Sequence, residues 1–345
     1  VLLAPQVANE REITAYLGRV ALGAGKSARV EVWGSGLILL DLGPAPGAFL
    51  KNSGTVAAGG GRVELGAART VAAIDETILL QNGVVRATAA EERDGRIDLR
   101  GGPQGQVELA AAPGPAGEKE AQLAASVVEV SGGQIAVDGA FAVEATRLVE
   151  LRADVAATGE GSVVFADGAS LTTSGGADVE VLYNPEDPFF GHRYINPTPF
   201  QTWIDVEGGA LRAFMLVNDV DDLQAMSQNL AGNYALGAPI DARDTAGWNG
   251  GAGFLPVGND VGPFFRFRGV FDGRGHAITG LAINRPGAAG VGLFGAAEGA
   301  EIRRVTLQGV SVAGGQMTGG LVGVQYGGTI SDVSVSGSVQ GGNEV

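Results

Sequence analysis

The stretch Gly292–Gly323, GLFGAAEGAEIRRVTLQGVSVAGGQMTGGLVG, opens and closes on the same tetrad. Gly292-Leu293-Phe294-Gly295 returns as Gly320-Leu321-Val322-Gly323. Carrying that offset forward aligns Ile302 with Ile330, Val305 with Val333, Leu307 with Val335 and Gly309 with Gly337. One step earlier, Ile278, Leu281 and Ile283 in HAITGLAIN give the same apolar pattern. Recurrence at this period marks an array of similar units. Within a unit the apolar residues alternate, as in VTLQGVSV and VSVSGSV, which is the spacing of strands. A unit of short strands with glycine corners cannot bury its apolar side alone and must stack on its copies. The expectation is an all-β, right-handed parallel β-helix: each coil pairs with those above and below at about 4.8 Å, and inward side chains line up in columns.

Working outward, the first third repeats more loosely. Segments starting at Asn9, Asn52 and Asn82 share one plan: an Asn, a short strand around Ile13, Val56 or Val85, a turn, and a second strand opened by Gly18, Gly61 or Gly95. GGQIAV from Gly132 and EGSVVFADGASLTTSGG from Glu160 continue the style, and Ala112–Lys119 reads as an exposed turn. From Tyr183 to Trp203 the texture changes, with four prolines and six aromatic residues, which suits an excursion or join. Beyond it, Leu223, Met226 and Leu230 recur at helical spacing, with Asp219 as N-cap and Gly232 as terminator, predicting a short amphipathic helix. The expected organisation is therefore 1–182, β-helix coils; 183–208, the excursion; 209–260, a strand and helix leading into the repeats; and 261–345, further coils.

Composition narrows the function. Glycine supplies 58 of 345 residues but proline only 14, and the glycines are scattered through β-branched sequence, so they mark turns between strands. A formal charge of −15, with lysines only at positions 26, 51 and 119, opposes binding to nucleic acid or to an acidic membrane surface. Without cysteine, no disulfide, thiolate-metal or cysteine-nucleophile chemistry exists. No apolar run reaches the ~18 residues of a membrane helix. Val1 is followed by no charged-then-apolar leader, as in a processed or excised piece.

The segments LLAPQVANEREITAYLGRVALGAGKSARVEVWGSGLILLDL and LKNSGTVAAGGGRVELGA resemble the filamentous haemagglutinin-like exoproteins of two-partner secretion. The run from FMLVNDVDDLQAMSQNLAGNY to FRGVFDGRGHAITGLAINR looks like the lead-in to GLUG repeats, which carry the Gly-Leu-hydrophobic-Gly tetrad. The resemblance covers most of the chain and is weakest over 113–208. It implies a Gram-negative adhesin, exported through an outer-membrane β-barrel partner and secreted or displayed on the cell surface. It brings no catalytic residues.

Catalytic chemistry finds little purchase. Asp219, Asp221 and Asp222 offer paired carboxylates for glycoside hydrolysis, but their place at a helix start explains them as capping groups. Asp272 and His276 in FDGRGH read as a tight turn with a solvated histidine. His192 is the remaining histidine and is too remote to complete a metal site. The oxygens of NDVDD leave calcium open as a ligand, although no EF-hand or nonapeptide spacing is present. GAGKSA lacks the glycine spacing of a phosphate loop and reads as a turn.

The aromatic residues Phe189, Phe190, Tyr194, Phe200 and Trp203, with Trp248 in GWNGG, are the candidate contacts for a glycan or a protein partner. The heavier reading is that such rings cover a sheet face or fill the join. The sequence thus points to a non-enzymatic adhesin: a stalk and interaction surface with no cofactor, binding host-cell or matrix glycans or proteins. Two alternatives stand beside it, a self-assembling extracellular filament and a carbohydrate-active β-helix enzyme. Open strand edges predict that further coils or another copy cover at least one end.

Overall fold

A computed structural model describes the chain except at residues 17, 33–37, 60, 70–75, 88–94, 112–121, 187–192 and 343–345. The turn read at Ala112–Lys119 lies outside the described residues. The protein is mostly β, and its strands pair almost entirely in parallel. It divides into two compact units, one of residues 1–184 with 199–213, the other of 185–198 with 214–345.

In the first unit, strands from distant segments align residue for residue. Val20 pairs with Val63, Val63 with Ile97, Ile97 with Val128, Val128 with Val149 and Val149 with Val179. All six are buried. A second column runs Ile13, Val56, Val85, Leu123, Val143. A third runs through another sheet as Val7, Leu50, Leu79, Val107, Ile135, Val163. Alternation along each strand sends these residues into the core, where each buried aliphatic side chain contributes about 1.5–3 kcal/mol. The alignment of Ile13 with Val56 and Val85 is as the sequence indicates.

The alignment of the asparagines is one residue out. Asn9 pairs with Asn52, and Asn52 pairs with Gln81 rather than Asn82. The Asn9 Nδ2 donates to Asn52 Oδ1 at 2.8 Å, and Asn52 Nδ2 donates to Gln81 Oε1 at 2.9 Å. Asn82 instead accepts from Ser53 Oγ at 2.8 Å. The corner that follows is tight: a Cβ on Gly54 would lie 1.9 Å from the Arg11 carbonyl oxygen, so only glycine fits.

An antiparallel hairpin, Ser27–Val32 with Ile38–Gly43, departs from the expected parallel plan. It sits between paired segments and explains why the first spacing is 43 residues, from Asn9 to Asn52, and the next only 29, from Asn52 to Gln81. GAGKSA falls at the turn into this hairpin, between strands ending at Ala24 and starting at Ser27.

The second unit repeats the principle. Tyr234 pairs with Phe271, Phe271 with Ile302 and Ile302 with Ile330; Ile278 pairs with Leu307 and Leu307 with Val335. The tetrads coincide, with Phe294 opposite Val322. Gly309 and Gly337 do not. The register shifts after Leu307, so Gly337 pairs with Val310 and Val312 with Val339. This bulge brings valine over valine where the unshifted register would set Val312 against Gln340. Ile302, Leu307 and Val312 are buried, whereas Ile330, Val335 and Val339 are 42%, 42% and 36% exposed, in strands that no later described strand pairs. The helix is shorter than its periodicity suggests: Val220–Ala225 is α-helical and Met226–Gln228 tightens to 3-10 geometry. Leu223 and Met226 are buried and Leu230 is half-buried.

Candidate functional site

Polar clusters come first, because they decide whether the fold carries reactive groups. In the first unit one sheet aligns Glu64, Asp98, Glu129, Glu150 and Glu180 in a single column, alternating with the aliphatic one, and Glu64, Asp98 and Glu150 are buried. Arginines two positions away on the same face answer it. Arg62 lies 2.9 Å and Arg96 3.0 Å from Asp98, and Arg100 lies 3.3 Å from Glu64. Arg96 also pairs with Glu129. Burial pushes the Glu129 carboxyl above its ordinary value, with Glu150 and Asp98 adding to the rise and Arg96 opposing it. Glu64, Asp98 and Glu129 of the column are each paired with an arginine.

The turn read in FDGRGH is present at Arg274 and Gly275, and His276 after it is half-buried, while Asp272 before it is fully buried. Arg303 Nε donates to it at 2.8 Å, Arg304 Nε at 2.9 Å and the Arg274 backbone N–H at 2.9 Å. Burial alone would raise this carboxyl; the hydrogen bonds from Arg304, Arg274 and Arg303 outweigh it and hold the group below the ordinary carboxylate range. Asp219 caps the helix, accepting from the Asp222 N–H at 2.8 Å, and Asp222 accepts from the Asn218 N–H at 3.1 Å. Among the described residues no three His, Asp or Glu side chains are placed to hold a metal ion.

The candidate aromatic contacts scatter. Phe189 and Phe190 lie outside the described residues, as does His192. Tyr194, expected at the surface, is fully buried: its hydroxyl donates to the Leu216 carbonyl at 2.6 Å and its ring meets Tyr234 edge-on at 5.1 Å. Trp203 is half-buried and stacks on Phe165 at 5.6 Å and 10°, beside the buried Phe200. Tyr194 works as packing, while Trp203 keeps part of its surface open. Trp248 differs. It is half-buried, backed by the buried Phe254 at 6.4 Å and 23°, and faces a depression of about 380 Å³ lined also by Gln224, Ser227, Asn249 and Leu255.

The local chain explains the presentation of Trp248. Asn249, Gly250 and Gly251 all take left-handed conformations, at φ of 51°, 66° and 89°. Two of the three are glycine, and asparagine tolerates this region better than other side chains. Asn249 Nδ2 locks the turn by donating to the Gly253 carbonyl at 2.7 Å. Opposite, Gln224 grips the Leu255 peptide with both ends of its amide, donating to the carbonyl and accepting from the N–H, each at 2.9 Å. Leu255 is thereby held 50% exposed.

Leu255 and Ser227 also line a second depression, of about 310 Å³, whose walls include Leu230, Asn259, Phe265 and Arg285. The two hollows therefore meet along Ser227 and Leu255, forming one groove of aromatic, aliphatic and amide surface, with volumes in the range of small-ligand sites. Phe264 and Phe265 near its rim are 82% and 52% exposed. Sequence reasoning singled out Trp248 but missed Gln224, Leu255 and Arg285, since no local motif joins residues that meet only through tertiary structure.

Comparison with known proteins places the repeat. Residues 314–340, which contain the second tetrad, match the family model for the GLUG motif. Over 135 residues, 37% of the chain, the sequence is 40% identical to halomucin of Haloquadratum walsbyi, of which this covers 2%. Over 90 residues, 25% of the chain, it is 39% identical to a putative Gly-rich membrane protein of Evansella cellulosilytica, of which this covers 10%. The chain thus spans a small fraction of the length of these curated relatives. No solved structure matches. Among the described residues no helix is long and apolar enough to cross a membrane. The chain is a parallel-stranded repeat protein that carries a GLUG motif at residues 314–340.

Proposed function

We propose that this chain is the β-helical part of a non-enzymatic adhesin, secreted or displayed at the cell surface, and that both units are right-handed parallel β-helical stacks offering a stalk and an interaction surface. The observation that carries the reading is the set of in-register parallel columns, such as Val20–Val63–Ile97–Val128–Val149–Val179, built from segments far apart in sequence. Such columns leave the outer faces free to vary without disturbing the core, which suits a protein that acts through its surface. The GLUG match and the similarity to halomucin and to a putative membrane protein support a surface or secreted location. Export by two-partner secretion, as in filamentous haemagglutinin-like proteins, is the finer form of this proposal.

The non-enzymatic reading draws on the use of the acids. Asp219 and Asp222 satisfy backbone amides, and Asp272 and Asp98 are neutralised by arginines. The test is attachment. Beads coated with the purified chain should be retained under flow on epithelial cell layers or extracellular matrix. Retention no greater than that of beads carrying an unrelated protein of equal negative charge would sink the adhesin reading.

A further inference from the structure

Many arginines of this acidic chain are held by carboxylates. Arg62, Arg96, Arg100, Arg243, Arg266, Arg303 and Arg304 all pair with carboxylates. Arg285 is an exception in a telling place. It is half-buried in the wall of the groove, its backbone N–H donates to Ala313 and its Nε donates to the Phe254 carbonyl at 3.3 Å. These contacts anchor the guanidinium stem. The two Nη groups have no partner among the described residues, and no Asp or Glu lines either hollow. A fixed cation without a counter-ion, in a protein of net charge −15, makes this groove a local site of opposite sign.

At the other end of the groove, Trp248 offers an aromatic face stiffened by Phe254 behind it and by the locked turn after it. The lining also carries groups that bond to hydroxyls. Asn249 Oδ1 and Asn259 Nδ2 enter no hydrogen bond among the described residues, and Ser227 Oγ uses its proton on the Gln224 carbonyl and keeps its lone pairs. An aromatic plane, neutral amide and hydroxyl groups, and one planar cationic fork match one ligand chemistry: a sugar ring stacked on Trp248, hydroxyls along the middle, and a carboxylate held by Arg285. A neutral glycan would leave Arg285 unanswered.

We infer that the groove formed by Trp248, Leu255 and Arg285 binds an acidic oligosaccharide, with a ring on Trp248 and the carboxylate of a neighbouring unit on Arg285. This inference rests on the attachment reading above and names the ligand class of that surface.

The test uses the full chain and calorimetric titration with two acidic probes, oligogalacturonate and sialyllactose, each beside its neutral counterpart, the methyl-esterified oligogalacturonate and lactose. A sulfated oligosaccharide separates carboxylate from sulfate recognition. At least one carboxylated probe should bind, and esterification or loss of the acidic sugar should weaken binding at least tenfold. Arg285→Gln should weaken it at least tenfold, Arg285→Lys less, and Trp248→Ala roughly five- to fiftyfold. Raising salt from 0.05 to 0.5 M should weaken binding, because a half-exposed ion pair is screened. Hydrogen exchange across Tyr234–Leu236 and Ile278 reports whether each variant keeps the fold, and Arg285→Lys, which keeps the charge, carries the test if Arg285→Gln does not fold.

Equal affinity for acidic and neutral probes, binding of the sulfated probe alone, no binding of either acidic probe, or full affinity in folded Arg285→Gln would each overturn the inference. Bead retention separates the two claims. Retention that survives Arg285→Gln and Trp248→Ala refutes this groove while leaving the adhesin reading intact, whereas absence of retention in the unaltered chain removes the adhesin reading itself.

Discussion

Replacing Asn52 with alanine probes the columnar architecture at its most exposed assumption, that side chains from successive segments bond to one another inside the protein. Asn52 is fully buried; it accepts from Asn9 at 2.8 Å and donates to Gln81 at 2.9 Å. Alanine strands the Gln81 Oε1 in a dry interior, at about 1–3 kcal/mol, and removes the bond from Asn9 at about 1 kcal/mol. Asn9 loses less than Gln81 because its Nδ2 also reaches the Thr55 carbonyl at 3.3 Å. The expected loss is therefore about 2–4 kcal/mol. Asn9→Ala, at the end of the ladder and 7% exposed, strands the Asn52 Oδ1 in the same way and should cost about 1–3 kcal/mol. Native-state hydrogen exchange read by mass spectrometry isolates the effect from the second unit: amides of Phe49–Asn52, Thr55–Ala58 and Thr77–Gln81 should lose roughly 30- to 1000-fold of their protection in Asn52→Ala. If protection changes less than threefold, the ladder does not hold these segments together and the reasoning fails.

Other outcomes follow from the same structure. Asp272→Asn leaves Arg303 and Arg304 facing an uncharged group and should cost the second unit about 3–5 kcal/mol at pH 7. Because the folded pKa of Asp272 is depressed, its contribution is present above the ordinary value of 3.8 and lost as pH falls through the folded value; the gap between variant and parent, followed by urea melts, should close below that pH. Glu129 has the opposite sign. Its folded pKa is raised, so stability present below 4.5 is lost as pH rises through the folded value, and Glu129→Gln should gain on the parent between pH 4 and pH 7; a gap independent of pH would contradict this. Gly54→Ala drives a Cβ against the Arg11 carbonyl and should destabilise the first unit by about 2–3 kcal/mol, visible as a lower urea midpoint. Asp219→Ala removes the helix cap and should cost about 1 kcal/mol, with exchange rising only around Val220–Ala225.

Much of the strand pairing was legible because alternation is local and repeats carry it from segment to segment. Ile13, Val56 and Val85 align as expected, as do Phe294 with Val322 and Ile302 with Ile330. The errors have identifiable causes. Gly309 looked equivalent to Gly337 because glycine is common at corners, but matching Val312 to Val339 shifts the register through a bulge. Asn82 looked equivalent to Asn52 by identity, whereas Gln81 supplies the same amide one position earlier. The hairpin of Ser27–Gly43 shares the alternation of the other strands, and alternation does not say whether a partner runs parallel or antiparallel.

The sequence by itself determined that the chain is built of short strands with glycine corners, because side-chain period and the absence of Cβ are properties of single residues. It also determined some of the apolar residues that recur to form columns, Ile13, Val56 and Val85 among them. Only the tertiary structure decided what those columns bring together elsewhere: Tyr194 drawn into the core, Asp272 enclosed by two arginines, and Trp248 joined to Arg285 across the Leu255 held by Gln224. The reason is that burial and charge balance depend on neighbours far apart in sequence, and loop lengths, not periodicity, select those neighbours.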